Sequence, residues 1–339
     1  MTSIAIFGGC GFIGINFCKK IIEKDLYEKI YLIDILKPKD HYLKQNLRKF
    51  LNSKKVELIN HDVRNPIKNL KIEKLDTILN LAAIHRMPGH EDFEYFETNV
   101  NGARNVTTFA DKINCKNIIF TSSISVYGSG NHYKNEDTPT IPDTPYGKSK
   151  LEAEEIHLKW LNKNSSDKIL LICRPGVVFG AGENGNVSRL VKIIKKRMFF
   201  YFGNKNLKKA GIYIDELFNQ IFWVNKNQIN HKFYNKVIFN GVFEDCNNIK
   251  EYAEEISKIL NVSSKYLEIP KVIFQFFLFL SSFITKKLSS KNNFNYLRLS
   301  KLFISNFVIS KFLSENDYTY NYNLKTSLKK WSKSNTNDW

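Results

Sequence analysis

The sequence predicts a doubly wound parallel α/β sheet followed by a smaller, mostly helical carboxyl-terminal lobe. Three observations carry that expectation. In the first half of the 339 residues, short apolar runs alternate with longer amphipathic ones, the pattern of strands buried on both faces and helices that cover them. A glycine-rich stretch joins the first apolar run to the first helical one. After Pro175 the alternation stops, and the chain becomes helical and rich in Phe, Lys and Asn.

In order, residues 3–7, 30–35, 56–60, 77–81, 118–122 and 169–174 read as buried strands. Helices are expected near 12–24, 92–112 and 146–162. Beyond Pro175, residues 186–197 read as a helix, 211–225 as a strand end leading into a helix, 237–240 as a strand and 247–260 as a helix. The remainder, to about Ser334, reads as helical. Ligands of open α/β sheets bind at the carboxyl ends of the strands, so the second lobe is expected to close over that edge.

Composition sets bounds. Hydrophobic residues make up 43% of the chain, enough for one large core or two lobes sharing a cleft. The net charge of +18, from 51 Lys+Arg against 33 Asp+Glu, suits nucleic acid, anionic lipid or a phosphorylated substrate. The lysines are spread along the chain among many Asn, Ile and Phe residues, as codon composition alone would give. No basic arm or nucleic-acid motif stands out, so no nucleic-acid partner is expected. Met1 leads straight into the first apolar run, without a basic leader or cleavage site. The five cysteines lack C-x-x-C spacing and read as reduced thiols of a cytoplasmic protein. No metal site is expected.

The glycine stretch carries the first functional signal. Gly8, Gly11 and Gly14, with Phe12 and Ile13, lie where the first strand turns into the first helix. Glycines there let the backbone approach a pyrophosphate, and the helix start offers unpaired N–H groups. Asp34 follows at the end of the second strand, about 20 residues on. Its carboxylate suits a ribose diol and repels a 2′-phosphate, which favours NAD over NADP. Lys37 and Lys39 nearby keep NADP as the alternative.

The second signal is Ser123 at a strand end, together with Tyr146 and Lys150 downstream. At i and i+4 the last two share a helix face. An ammonium beside a phenol favours the phenolate and is expected to lower its pKa, which suits proton transfer from a sugar hydroxyl. Without the glycine turn the same spacing would describe only an exposed helix face.

With these residues the chain resembles an extended short-chain dehydrogenase/reductase of the nucleotide-sugar epimerase/dehydratase type. The likeness has specific motifs from about Ser3 to Asp215 and is weaker to Trp331. It implies a Rossmann-like NAD domain over residues 1–175, with a return segment at about 205–245. It places the substrate lobe at 176–204 and 246–334. In this likeness Ser123, Tyr146 and Lys150 are catalytic. Asp62 and Val63 meet the adenine, and Leu81, Ala82 and Ala83 line the nicotinamide ribose. Asn99 holds the central helix, and His85, Arg86, Asn186 and Lys209 face the substrate, with Lys209 at the diphosphate. Asp215 is structural.

Departures narrow the activity the resemblance implies. Dehydratases carry an Asp-Glu pair after the strand-end hydroxyl, where this chain has Ile124 and Ser125, which disfavours dehydration. Many hexose 4-epimerases have Asn where this chain has Val177, which puts ordinary UDP-galactose turnover in doubt. The expected activity is NAD-dependent epimerisation of a nucleotide-diphosphate sugar through a transient ketone, in surface polysaccharide synthesis. The alternatives are a 4-dehydrogenase or 4-ketoreductase and, more remotely, a non-catalytic NAD- or RNA-binding protein. Relatives pair through two helices, here 92–112 and 146–162, which implies a homodimer. Within 271–309, the charge-free apolar run 272–285, flanked by Lys271 and by Lys286 and Lys287, is too short for the ~20 residues of a spanning helix, and a second apolar patch follows at 302–309. The stretch reads as a lobe helix, with weak peripheral membrane contact as the other possibility.

Overall fold

The structure is a computed structural model that describes residues 2–35, 54–68, 70–72, 74–86, 89–163, 167–270, 272 and 304–339. Its centre is a seven-stranded sheet in the order β11-β7-β5-β4-β1-β2-β3. The strands are β1 (Ser3–Phe7), β2 (Lys29–Asp34), β3 (Val56–Asn60), β4 (Thr77–Asn80), β5 (Asn117–Thr121), β7 (Ile169–Pro175) and β11 (Lys236–Gly241). Every neighbouring pair is parallel. The six runs read as strands from the sequence all lie in it, within a residue at each end. The order reverses direction at β1, so loops after β1 and β4 part and leave a crevice at the carboxyl edge.

Both faces of the sheet are covered, and side chains alternate between them with period two. Ile4, Ile6, Leu32, Leu79, Ile119 and Leu171 pack on one side, against α1 (Phe12–Glu23) and α6 (Ile214–Ile229). Ala5, Phe7, Ile33, Ile78, Ile118, Phe120 and Ile172 pack on the other, against α3 (Gly102–Lys112) and α4 (Pro145–Asn162). The first core continues into the second lobe through Tyr201, Tyr252 and the fully buried Trp331. That lobe includes α5 (Asn186–Lys195), α7 (Ile249–Leu260), α8 (Lys311–Glu315) and α9 (Leu324–Ser334).

The helix expected over 92–112 is not uniform. A short α2 (Asp92–Tyr95) runs into a π-helical turn at Phe96–Asn101 before α3 begins. Among the described residues, the tail is less helical than expected. β13 (Asn306–Val308) pairs in parallel with β6 (Gly130–Lys134), and β12 (Glu268–Ile269) with β9 (Tyr201–Phe202). Only Val272 and residues 304–309 of the stretch 271–309 are described. The rest of it, with Lys37 and Lys39, lies outside the described residues. No described helix is long and apolar enough to cross a membrane.

α4 is the element that matters most to the site. Thr144 caps it, accepting from Gly147 N at 3.1 Å, and Pro145 starts its first turn. Midway along, Glu154 meets Arg174 of β7. Arg174 Nε donates to Oε1 at 2.9 Å and Nη2 to Oε2 at 2.7 Å. Both residues are buried. Arg174 Nη1 also donates to the Tyr127 hydroxyl at 2.9 Å, which donates onward to Asn240 Oδ1 at 2.9 Å.

Removing one partner of such a pair strands a charge in the interior. Glu154→Leu or Arg174→Met alone is expected to cost about 3–5 kcal/mol, whereas combining the two recovers most of the loss. Urea unfolding of the two single variants and the double variant measures this. Additive losses would contradict it.

Candidate active site

The turn after β1 is built as a cradle. Gly8 N and Gly9 N both donate to Ile33 O, at 2.9 and 3.3 Å. Gly8 has φ +74°, and a Cβ there would stand 2.8 Å from Ala82 N, so no larger residue fits without moving the loop after β4. α1 then starts at Phe12 with no side-chain cap and no acid in its first turn. Its first helical bond runs from Ile15 N to Gly11 O, which leaves the N–H groups of Phe12, Ile13 and Gly14 ahead of the ladder. Asp34, half-buried at the end of β2, accepts from Cys10 N at 3.0 Å. A glycine cradle, a bare helix start and a carboxylate beside it together fit a dinucleotide with a ribose diol.

Across the crevice, the segment Leu81 to Arg86 is held from two sides. Leu81 N donates to Phe7 O at 2.9 Å, and Ala82 N to Asn80 Oδ1 at 3.3 Å. Asn99, buried in the π-helical turn, accepts from Ile84 N at 2.9 Å. It donates to Ile84 O at 3.1 Å and to Ser149 Oγ at 2.8 Å. Ser149 in turn donates to Tyr146 O at 2.9 Å. One amide thus spans the loop after β4 and the first turn of α4. π-Bulges concentrate at such positions because they turn one side chain out of helical phase.

Tyr146 faces Ser123 just beyond the end of β5, and Lys150 follows one turn along α4 with its ammonium over Phe120 of β5. Close approach makes this possible: a Cβ on Gly147 would lie 2.5 Å from Ser125 O. Tyr146 is half-buried. Burial raises its phenol pKa, and the hydrogen bond with Ser123 pulls it back down. Ser123 Oγ accepts from Ser125 N and lies by Ser125 Oγ, each at 3.1 Å. The Ser122 hydroxyl, buried beside it, has no partner among the described residues. Lys150 is buried with its Nζ 4.4 Å from the centroid of Phe120. Burial pushes its ammonium down to about 7, against the attraction of Glu154. The expected lowering of the tyrosine by Lys150 is therefore not what the site displays. Desolvation of the phenol outweighs the one group that favours its phenolate, Ser123, and Tyr95 adds to the rise.

The remaining expected residues are scattered around this centre. Val63 is buried under α3, and Asp62 is held by Arg64 in a fork of 2.6 to 3.0 Å that lowers its carboxyl pKa. Ala83 lines the crevice between Ala82 and Ile84, half-buried. His85 reaches solvent but stands amid enough protein to lower its pKa, with Arg86, Lys150 and His90 pushing the same way. Arg86 is exposed, and its carbonyl accepts from the Tyr95 hydroxyl at 2.5 Å. Met87 and Pro88 in this loop lie outside the described residues. Asn186 is exposed at the start of α5. Lys209 is half-buried, its Nζ donating to Ile304 O at 2.6 Å, and burial pushes it down to about 8. Asp215 binds Lys20 at 3.2 Å and Lys330 at 2.7 Å, on the α1 side of the sheet.

Sequence reasoning missed Asn80, Ser149, Glu154, His157 and Arg174. All are buried polar side chains. In α4 the signal was present: Lys150, Glu154 and His157 follow Tyr146 at helical spacing on one face, and a polar stripe continuous with a candidate catalytic pair is poorly explained as solvated surface.

Comparison with known proteins places this geometry among relatives. Residues 5–243 match the profile of the 3-beta hydroxysteroid dehydrogenase/isomerase family. The chain is 35% identical over 195 residues to N-acetyl-alpha-D-glucosaminyl-diphospho-ditrans,octacis-undecaprenol 4-epimerase of Escherichia coli O157:H7, covering 58% of each protein. It is 30% identical over 218 residues to UDP-glucose 4-epimerase of Vibrio cholerae, covering 62% of each. These matches span less than two thirds of those relatives. Among solved structures, UDP-glucuronic acid 4-epimerase of Bacillus cereus in complex with NAD superposes with a TM-score of 0.72. It is 19% identical over 97% of this chain and 96% of that one.

The depressed lysine has a thermodynamic consequence. Between about 7 and 10.5, the folded Lys150 gives up a proton that the unfolded chain keeps. By this route stability rises with pH across that window, and the burial cost is felt in full below it. Lys150→Met is expected to raise the melting temperature most at about pH 6, with the gain shrinking toward pH 10.5. Thermal unfolding of both proteins across that range tests this, and a pH-independent difference would contradict it.

Proposed function

The chain belongs to the 3-beta hydroxysteroid dehydrogenase/isomerase family of extended short-chain dehydrogenases/reductases, and from that membership we propose an NAD-dependent 4-epimerase of a diphosphate-linked sugar, acting in polysaccharide precursor synthesis. The observation that carries the reading is the approach of Tyr146 to Ser123, with Lys150 one turn further along an α4 that Asn99 ties to the loop packed on Gly8, in a chain whose relatives are named as sugar 4-epimerases. Gly8, Gly11, Phe12, Ile13 and Gly14 would hold the pyrophosphate of NAD, and Asp34 a ribose diol. When bound, NAD supplies the acceptor and donor of hydride.

The chain's own residues do the rest. Tyr146 takes the proton of the ring hydroxyl as the carbon is oxidised and gives it back on reduction. Ser123 hydrogen-bonds the same oxygen and keeps the ketone in line. Lys150, one turn along α4 on the same face, supplies positive charge beside the reacting groups. The ketosugar turns over before reduction on the opposite face. Ile124 and Ser125 offer no acid–base pair for dehydration.

A second carrier is favoured by one observation. The E. coli relative is named for a sugar diphosphate attached to undecaprenol, and this sequence carries a lysine-flanked apolar stretch at 271–309. A lipid-borne sugar with peripheral membrane contact is the reading that joins the two. The five free cysteines suit the cytoplasm, and pairing of two copies through α3 and α4 follows from the family likeness.

The test is product analysis by NMR with UDP-, GDP- and dTDP-sugars and a polyprenyl-diphosphate sugar, with catalytic NAD. The expected result is a new stereoisomer without net NADH. Tyr146→Phe is expected to slow it by roughly 10²–10⁴-fold with folding intact. Stoichiometric NADH with a ketosugar would establish a dehydrogenase instead. Vesicle co-sedimentation at low salt tests membrane contact, and light scattering tests the dimer.

A further inference from the structure

The catalytic helix contains a titratable side chain that the reaction above leaves unused. His157 is completely buried. Its Nδ1 lies 2.7 Å from Ala153 O. A carbonyl oxygen offers no proton, so Nδ1 carries it. Burial holds the imidazole down to about 4, so Nε2 is an acceptor near neutral pH. Asn80 Nδ2 stands 3.3 Å from that Nε2 and is the donor. This fixes the orientation of the Asn80 amide: its nitrogen faces the histidine, and its oxygen accepts from Ala82 N at 3.3 Å. Ala82 N is the atom nearest to where a Cβ on Gly8 would stand.

The same imidazole has a second contact. It stacks on Phe120 with ring centroids 4.1 Å apart and planes 16° from parallel. Phe120 is the ring that carries the Lys150 ammonium. Lys150 and His157 leave α4 on one face, about 10 Å apart along the axis, a spacing that accepts one aromatic ring between them. An aliphatic residue at 157 would fill the space, yet it would leave the buried Asn80 donor unpaired and give the ring no parallel face.

We propose that His157 is a positioning residue that couples the cofactor cradle to the catalytic lysine: through Asn80 it sets the loop facing Gly8, and through Phe120 it sets the Lys150 ammonium. The inference rests on the reading of the Gly8 turn as an NAD site.

Two substitutions separate the two arms. His157→Phe keeps a stacking ring and removes the acceptor. His157→Gln keeps an acceptor and removes the ring. NAD affinity is measured by fluorescence titration without sugar, and kcat at saturating NAD, both per folded molecule. His157→Phe is expected to weaken NAD binding by roughly tenfold, the scale seen when groups that orient binding residues are lost, with kcat near that of the parent. His157→Gln is expected to lower kcat by about the same factor and leave NAD affinity near that of the parent. Asn80→Ser approaches the first arm from its other end and is expected to reproduce His157→Phe, whether or not the histidine variants fold. NAD affinity unchanged in Asn80→Ser, or losses in the histidine variants that track only the folded fraction, would overturn the proposal. A parent protein that binds NAD but turns over no sugar would defeat the epimerase reading alone, because the affinities still decide the role of His157. A parent that does not bind NAD would overturn both.

Discussion

The ion pair between Arg174 and Glu154 sets the rotation of α4 about its own axis. Two parallel hydrogen bonds from a planar guanidinium admit little angular freedom, and both groups are shut away from water. With Glu154 held against β7, helical geometry points Lys150 one turn earlier and His157 one turn later along the same face. Tyr146 then reaches the end of β5. Burying the pair is expensive, and an apolar pair of similar volume could stabilise the fold as well. Its contribution is orientation, which a greasy contact between the same elements would leave loose.

The electrostatics of the site follow from that placement. Lys150 and Tyr146, one turn apart on α4, each stand where desolvation disfavours the charged form, so the lysine falls and the phenol rises. Ser123 and Glu154 push the other way. The lysine is thus drawn toward neutral pH while the phenol is held above its usual value, so burial separates the two groups in how readily each changes charge.

Much of the fold was legible in the sequence because the central strands are buried on both faces. Runs such as Ile4 to Phe7 and Ile169 to Cys173 carry an unbroken apolar signal, and the glycine turn marks where the first of them ends. What escaped has a common cause. β6 and β13 lack apolar alternation and exist through each other and through Glu136, whose carboxylate accepts from Asn240 N, Ser310 Oγ and Lys311 N at 2.7 to 2.8 Å. The π-helical turn depends on Asn99 reaching a loop and a second helix, a tertiary demand that no local pattern announces. Glu154 and His157 sit in a polar helical run that looks solvated until the sheet beneath it is known. The upward shift of the Tyr146 phenol, likewise, depends on burial that spacing alone does not give.

The pairing of β6 with β13 joins residues that lie far apart along the chain, with Glu136 and Ser310 separated by 174 positions. β6 directly follows the turn that begins at Ser123. During synthesis the sheet and the glycine cradle can form early, yet the segment behind Ser123 has no strand to pair with until residues 306–308 arrive. Contacts of such long range form late and slowly. A nascent chain would therefore hold a folded glycine cradle well before the ground behind Ser123 was in order, and the two sides of the crevice would mature at different times.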